Sequence, residues 1–376
     1  MNQETVDFIA LGLIKGIGPK IARRIIEATS SISDFFEMSE SQLSAIDKLS
    51  LPLAKDIIST RDACRLEAKR ELEWVESCGM EAVTYSSDRY PVRLRSCDDA
   101  PLVMYVRGDA DFNVRKVISV VGTRKPTPVG RQWCAEVLSA LSAKYPDLLI
   151  VSGLAYGIDV AAHVAAMDCG LKTVGVVAHG MDILYPAQHR EIAKRMVLQG
   201  GAVLTEFRRG TQPEAVNFVS RNRIVAGMAD LTLVIESGEK GGSLITAGKA
   251  VEYGRVVAAV PGTPNAEMSM GPNMLIREHR AELVTSAEDI EHLLGWDQDL
   301  SSMAHPQGSL FSVEDVDLDP IQKKVAEALS ASDLSVDELS RAVSLPVSEV
   351  NTVLLEMEFM GLVTTLPGNR YCLLKC

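Results

Sequence analysis

The sequence predicts an α/β protein whose middle is a doubly wound, Rossmann-like parallel sheet, with a helical domain before it and a small helical unit with a terminal hairpin after it. Three observations predict this. Residues 117–121, 148–151, 173–178, 202–205, 231–235 and 256–260 are short, continuous apolar runs rich in valine, isoleucine and leucine, as expected of strands buried on both faces. Between most of them, 129–144, 157–169, 188–198, 218–227 and 243–253 carry the apolar spacing of amphipathic helices, and this alternation means a parallel sheet covered on both sides. Glycines and polar residues gather directly after the apolar runs, where an open parallel sheet binds its ligands.

Taken in order, residues 8–58 have a helical pattern interrupted by Gly16-Ile17-Gly18-Pro19. Pro19 suits a first helical position, because its missing N–H would be unpaired there anyway. Lys15 to Lys20 resembles a helix-hairpin-helix turn, which offers backbone amides to a DNA phosphate. The same glycines also serve a plain tight corner in a small helical (SAM-like) domain, placed at 1–78. After Cys78 come two short strand-like runs, 81–85 and 102–107, set apart by Tyr90-Pro91 and Ala100-Pro101. The α/β domain spans 79–296. Residues 297–318, with Ser301-Ser302, Pro306, Gly308 and many acids, read as a linker. In 319–376, helical segments at 321–329, 336–342 and 347–360 precede two strand-like runs around Pro367-Gly368, the order of a winged helix.

With 376 residues and 47% hydrophobic content, the chain can bury a sizeable core. Its start lacks the basic and apolar regions of a signal peptide, and no apolar run is long enough for a membrane span. A cytoplasmic protein with no membrane contact is expected. The seven cysteines form no CxxC pair, so neither a disulfide framework nor a zinc ribbon is predicted. The formal charge of −12 argues against a polyanionic partner, but it is unevenly spread. Residues 120–285 carry 17 Lys and Arg against 15 Asp and Glu, whereas 286–376 carry 5 against 16. Phosphate binding therefore belongs in the middle, and the acidic terminal unit reads as a protein-contact module rather than a duplex reader.

The candidate site is a row of turns at the strand ends. The first is Gly122-Thr123-Arg124, with Thr127 and Gly130 leading into a helix, and the second is Ser152-Gly153-Leu154-Ala155. Arg221-Asn222-Arg223-Ile224 and the turn Lys240-Gly241-Gly242-Ser243-Leu244-Ile245-Thr246 lie on either side of the strand 231–235. Glycines let the main chain approach an anion closely, helix starts favour negative charge, and arginine grips phosphates. Several such turns facing one crevice make a line of anion sites suited to a strand of nucleic acid. Phe218, three residues before Arg221, fits either a base-stacking platform beside the arginines or a core aromatic at helical spacing.

The alternatives from enzymology are thinner. There is no Walker A order around Lys240, no HExxH spacing for His163 or His179, and no histidine base identifiable near Ser152 or Ser243. Asp159 and Asp182 suit a carboxylate pair, although Asp159 equally suits amides of its own turn. Glu236 is the candidate base of a rival reading, a nucleoside monophosphate hydrolase; a third reading is a nucleotide sensor with the terminal unit as its output. No catalytic residue, metal or cofactor is expected under the leading reading.

Together the turns resemble the DNA-processing protein A family, also called Smf, through Tyr90-Pro91, Gly122-Thr123-Arg124, Ser152-Gly153-Leu154-Ala155, Gly157-Ile158-Asp159, Gly180 with Asp182, Tyr185-Pro186, Arg221-Asn222-Arg223-Ile224, Gly242-Ser243-Leu244-Ile245-Thr246 and Pro261-Gly262. The resemblance covers about 90–288 and implies an extended Rossmann fold that binds single-stranded DNA without hydrolysing it, dimerises, and helps load a RecA-type recombinase during natural transformation. By the same resemblance Arg124, Arg221 and Arg223 hold phosphates, with the amides of Gly242 and Ser243 assisting, and Phe218 takes the place of a stacking aromatic; the leading binding reading adds Lys249 as a further phosphate contact. Alanine at both 221 and 223 is then expected to weaken binding while leaving thermal stability nearly unchanged. Tyr156 departs from the pattern, standing where the family usually has arginine.

Overall fold

The structure, a computed structural model, describes residues 2–296, 318–366 and 370–373. It divides into two compact units, Met1–Leu283 and Val284–Cys376. The first begins with five helices, α1 (Gln3–Leu13), α2 (Pro19–Ala28), α3 (Ile32–Glu37), α4 (Glu40–Ser44) and α5 (Leu51–Ser77). Pro19 does open α2, and Gly16 adopts φ 91° in the corner before it, a conformation that costs glycine nothing. Phe8, Leu11, Ile25, Phe35, Leu43, Ile57 and Leu72 interlock in one core that also takes in Val103 and Tyr105 of the sheet. The helical segment thus leans on the edge of the sheet and shares its core with it.

The sheet strands and their crossovers follow: β1 (Glu81–Thr84), α6 (Val92–Arg95), β2 (Val103–Gly108), β3 (Val117–Val121), α7 (Pro128–Lys144), β4 (Leu149–Ser152), α8 (Ile158–Asp168), β5 (Lys172–Val176), α9 (Arg190–Leu198), β6 (Ala202–Thr205), α10 (Ala215–Gly227), β7 (Leu231–Val234), α11 (Gly242–Glu252), β8 (Val256–Ala259), α12 (Met270–Arg277) and β9 (Glu282–Leu283). The nine strands lie in the order β1-β2-β6-β5-β4-β3-β7-β8-β9. From β6 to β9 they are parallel; β2 pairs antiparallel with β6, and β1 antiparallel with β2.

Strand period decides the two cores. Val117, Val121, Leu149, Val151, Val174, Val176 and Leu204 join Ile224, Met228, Ala247 and Ala250 on one face. On the other, Val203 packs with Leu154, Met167, Val177 and Met196. Alternate residues of one strand therefore feed opposite layers, which is why these runs read as continuously apolar. The order of the chain reverses at β3, with β4 on one side and β7 on the other, and the carboxyl ends there splay apart into a crevice.

In the second unit α13 (Ala287–Leu293) is followed, after the undescribed stretch, by α14 (Pro320–Ala331), β10 (Leu334–Ser335), α15 (Val336–Val343), α16 (Val347–Phe359), β11 (Val363–Leu366) and β12 (Arg370–Leu373). The small sheet runs β10-β12-β11, and with α14 to α16 it makes a winged helix around Val325, Leu339, Val350, Leu354 and Met357. Of the expected linker at 297–318 only Leu318 is described; the Pro367-Gly368 turn and Cys376 also lie outside the described residues.

Candidate nucleic-acid interface

The loops after β3, β4 and β7 are stitched together by their backbones. The Thr123 N–H donates to the Glu236 carbonyl at 2.6 Å, and the Ile158 N–H donates to the Thr123 carbonyl at 3.1 Å. Gly157 makes this possible with φ 87°, and a Cβ there would collide with the Thr123 carbonyl. These loops and the first turns of α10 and α11 enclose a crevice of about 530 Å³.

Arg221 is the floor of the crevice. Only 3% exposed, it donates through one terminal nitrogen to the Gly153 carbonyl at 2.5 Å and to the Val176 carbonyl. Burial lowers its pKa to about 10, against the opposing pull of Asp159. Asp159 is buried beside it; burial raises its pKa, and Arg221, with the backbone of Ala155 and Gly153, holds it back. Gly153 is required between them, since a Cβ would lie 2.5 Å from an Asp159 oxygen and 2.6 Å from the guanidinium. An arginine so fully occupied by carbonyls sets the shape of the crevice and lends it positive potential from below.

The mouth is built differently. Arg124 is exposed, has no ion pair among the described residues, and places its guanidinium 5.2 Å from the Phe218 ring centroid. Phe218 is half-buried, and Tyr185 meets it edge-on with centroids 5.8 Å apart. Opposite, α11 starts at Gly242 after Gly241 with no side-chain cap, which leaves its first amides and the positive end of its dipole toward the crevice. Ser243 and Thr246 line this wall; the Ser243 hydroxyl donates to Ser237 at 2.8 Å. Asn222 bridges the two helices, accepting from Arg221 Nε at 3.3 Å and donating to the Gly242 carbonyl at 3.4 Å.

The fold thus gathers Gly122, Thr123, Arg124, Gly153, Phe218, Arg221, Asn222, Gly242, Ser243 and Thr246 around one crevice. Four expected contributors stand elsewhere. Arg223 is 8% exposed and spends its charge on Glu206 at 2.5 Å. Two residues apart on a helix means roughly 200° of rotation, so Arg221 and Arg223 cannot share one face. Lys249 turns to Glu252 at 2.6 Å and Asp99 at 4.0 Å. Ser152 is buried, its hydroxyl donating to the Val120 carbonyl at 2.6 Å. Thr127 caps α7, accepting the Gly130 N–H at 3.1 Å.

The catalytic candidates are also absorbed by structure. Both Glu236 oxygens are taken by Thr127, one by its N–H at 2.8 Å and one by its hydroxyl at 2.5 Å. Asp182 accepts the Gly210 N–H at 2.9 Å and forms no pair with Asp159. His163 is fully buried against the Thr173 hydroxyl at 2.6 Å, and burial drives its pKa down to about 3. His179 Nε2 accepts the Tyr185 N–H at 3.1 Å. Among the described residues no cluster could hold a metal ion, and no helix is long and apolar enough to cross a membrane.

Two aromatic contributors were not expected at the site. Tyr185, visible in the sequence only as part of Tyr185-Pro186, braces Phe218; Tyr156, read there as a lost arginine, lines the crevice. Tyr156 stands in the turn directly after β4, whereas Tyr185 lies nine residues past β5. In the winged helix, Arg370 pairs with Asp333 at 2.6 Å and with Glu338 at 3.2 Å, while α16 carries Glu349, Glu356 and Glu358 and no basic residue.

The chain matches known protein families along most of its length. The profile of DNA recombination-mediator protein A matches residues 81–295, that of the DprA winged helix domain 313–369, and that of a SAM-like helix-hairpin-helix tandem 8–61. The putative DNA processing protein DprA of Mycobacterium tuberculosis is 36% identical over 80% of this chain and 79% of its own. Protein Smf of Escherichia coli is 33% identical over 81% and 80%. DNA processing protein A of Streptococcus pneumoniae superposes with a TM-score of 0.64 at 28% identity, covering 78% of this chain and 98% of that one. The Helicobacter pylori protein, which binds single-stranded DNA, shares the fold with a TM-score of 0.52 at 24% identity over 58% of this chain and 97% of that one. With its strand-end crevice, winged helix and family profile in agreement, the chain belongs to the DNA recombination-mediator protein A (DprA/Smf) family.

Proposed function

We propose that this protein binds single-stranded DNA along the crevice at the ends of β3, β4 and β7, leaves the strand intact, works in the cytoplasm as a homodimer, and helps load a RecA-type recombinase during DNA uptake and recombination. The observation that carries the reading is the exposed Arg124 lying over Phe218 across from the uncapped start of α11. A guanidinium, an aromatic face and bare amides in one open crevice suit a phosphate and an unstacked base together. A duplex hides its base faces and gains less from Phe218. The engagement of Glu236 by Thr127 weighs against the hydrolase. The recombinase and dimer parts rest on family membership, whose profile describes a recombination mediator.

A gel-shift titration with single- and double-stranded oligonucleotides at two salt concentrations tests the proposal. Preference for the single strand, weakening steeply with salt, is expected. Equal affinity for duplex, or release of free base from nucleoside monophosphates, would overturn it.

A further inference from the structure

We infer that the bound strand does not end in the crevice but continues over Arg124 and Tyr156 into a second groove, between α7 and α8, that forms another nucleotide subsite. This rests on the crevice being the single-strand site. The groove is about 820 Å³ and shares Arg124 and Tyr156 with the crevice, so the two are one continuous surface with those side chains at the join. Its floor is apolar and open: Val160 and Val164 of α8 and Ile192 of α9 are only half-buried. One lip is cationic. Lys125 and Arg131 are exposed and without an acidic partner among the described residues, and Arg131 is steadied there by donating to the Pro126 carbonyl at 3.0 Å.

The carboxylate lining this groove, Asp168, is neutralised by Arg195 at 2.7 Å. An apolar floor under a basic lip matches a strand whose bases lie down and whose phosphates run along the edge. At the join, the Tyr156 hydroxyl donates to Gln188 at 2.8 Å and its ring meets His189 edge-on at 5.1 Å. A ring held at both ends stacks on a base with little further loss of rotamer entropy. Tyrosine at 156 thus serves as a second platform between the subsites.

Fluorescence anisotropy of the full-length protein with labelled oligo(dT) of about 4 and about 12 nucleotides, within the span of known single-strand sites, tests this. The variants are the double change Lys125→Ala with Arg131→Ala, and Val164→Glu, which puts an acid on the floor without removing a cation. Each is expected to bind the longer oligonucleotide about tenfold more weakly and the shorter one as the native protein does. For the double variant the log–log salt slope on the longer strand should fall by roughly 1.4. Tyr156→Phe should bind the longer strand normally and Tyr156→Ala more weakly.

If the double variant binds the longer strand normally, or loses both lengths equally, the second subsite is wrong while the crevice stands. If the native protein binds neither length, the crevice reading falls and the subsite with it. Unchanged thermal midpoints exclude misfolding as the cause, and should Val164→Glu fail to fold, the exposed Lys125 and Arg131 still decide the matter.

Discussion

Arg124 and Phe218 stand in face contact, 5.2 Å from guanidinium to ring centroid, and so tie the loop after β3 to the first turns of α10. The ring also lies 5.9 Å from the Arg221 guanidinium and is braced by Tyr185. One aromatic is thereby held between an exposed charge at the mouth and a buried charge in the floor. The arrangement separates two tasks that a sequence reading assigns to all arginines alike: contacting the ligand and shaping the site.

Replacing Arg124 by alanine should weaken single-strand binding about tenfold and lower the salt slope by about 0.7, the loss of one phosphate contact. The thermal midpoint should stay put, because the side chain is exposed and has no ion-pair partner among the described residues. Anisotropy titrations over a salt series check both parts.

Phe218→Ala should cost roughly 1–3 kcal/mol in strand affinity, the range for one stacked base, with the salt slope unchanged. Phe218→Tyr should restore most of it. An oligonucleotide carrying 2-aminopurine reports the stacking directly, since quenching on binding should persist in the tyrosine variant and vanish in the alanine variant.

Arg221→Ala is expected to destabilise the fold by about 3–5 kcal/mol, as removal of one member of a buried charged group does. It strands Asp159 and frees the carbonyls of Gly153 and Val176. Urea denaturation measures it. This reverses the expectation from sequence, where alanine at 221 and 223 left stability nearly untouched; an unchanged denaturation midpoint would restore that view.

Acid should weaken the protein partly through His163. Its folded pKa is depressed to about 3 against about 6.5 unfolded. Between those values the unfolded chain binds a proton that the folded one refuses, so this contribution is whole above pH 6.5 and is lost as pH falls toward 3. His163→Asn, which can keep the hydrogen bond to Thr173, should flatten the acid limb of a stability–pH curve in that window by an amount on the order of a few kcal/mol.

The sequence by itself determined the alternation of apolar runs and amphipathic helices, the glycine turns after the strands, and the concentration of acid in 286–376. These follow from local periodicity and composition, which act residue by residue along the chain. It also singled out Gly122, Arg124 and Gly242 in turns after strands and Phe218 and Arg221 on the helical segment 218–227, and the fold brings them to one crevice. What only the tertiary structure decided is which cations face solvent there. Arg221 is drawn inward by the carbonyls of Gly153 and Val176, Arg223 by Glu206, and Lys249 by Glu252, whereas Arg124 pairs with no carboxylate among the described residues and stays outside. Those partners come from segments far apart in the chain for Arg221 and Arg223. Whether a guanidinium is spent on its own protein or left for a ligand depends on which distant oxygens folding sets beside it, and no local pattern encodes that.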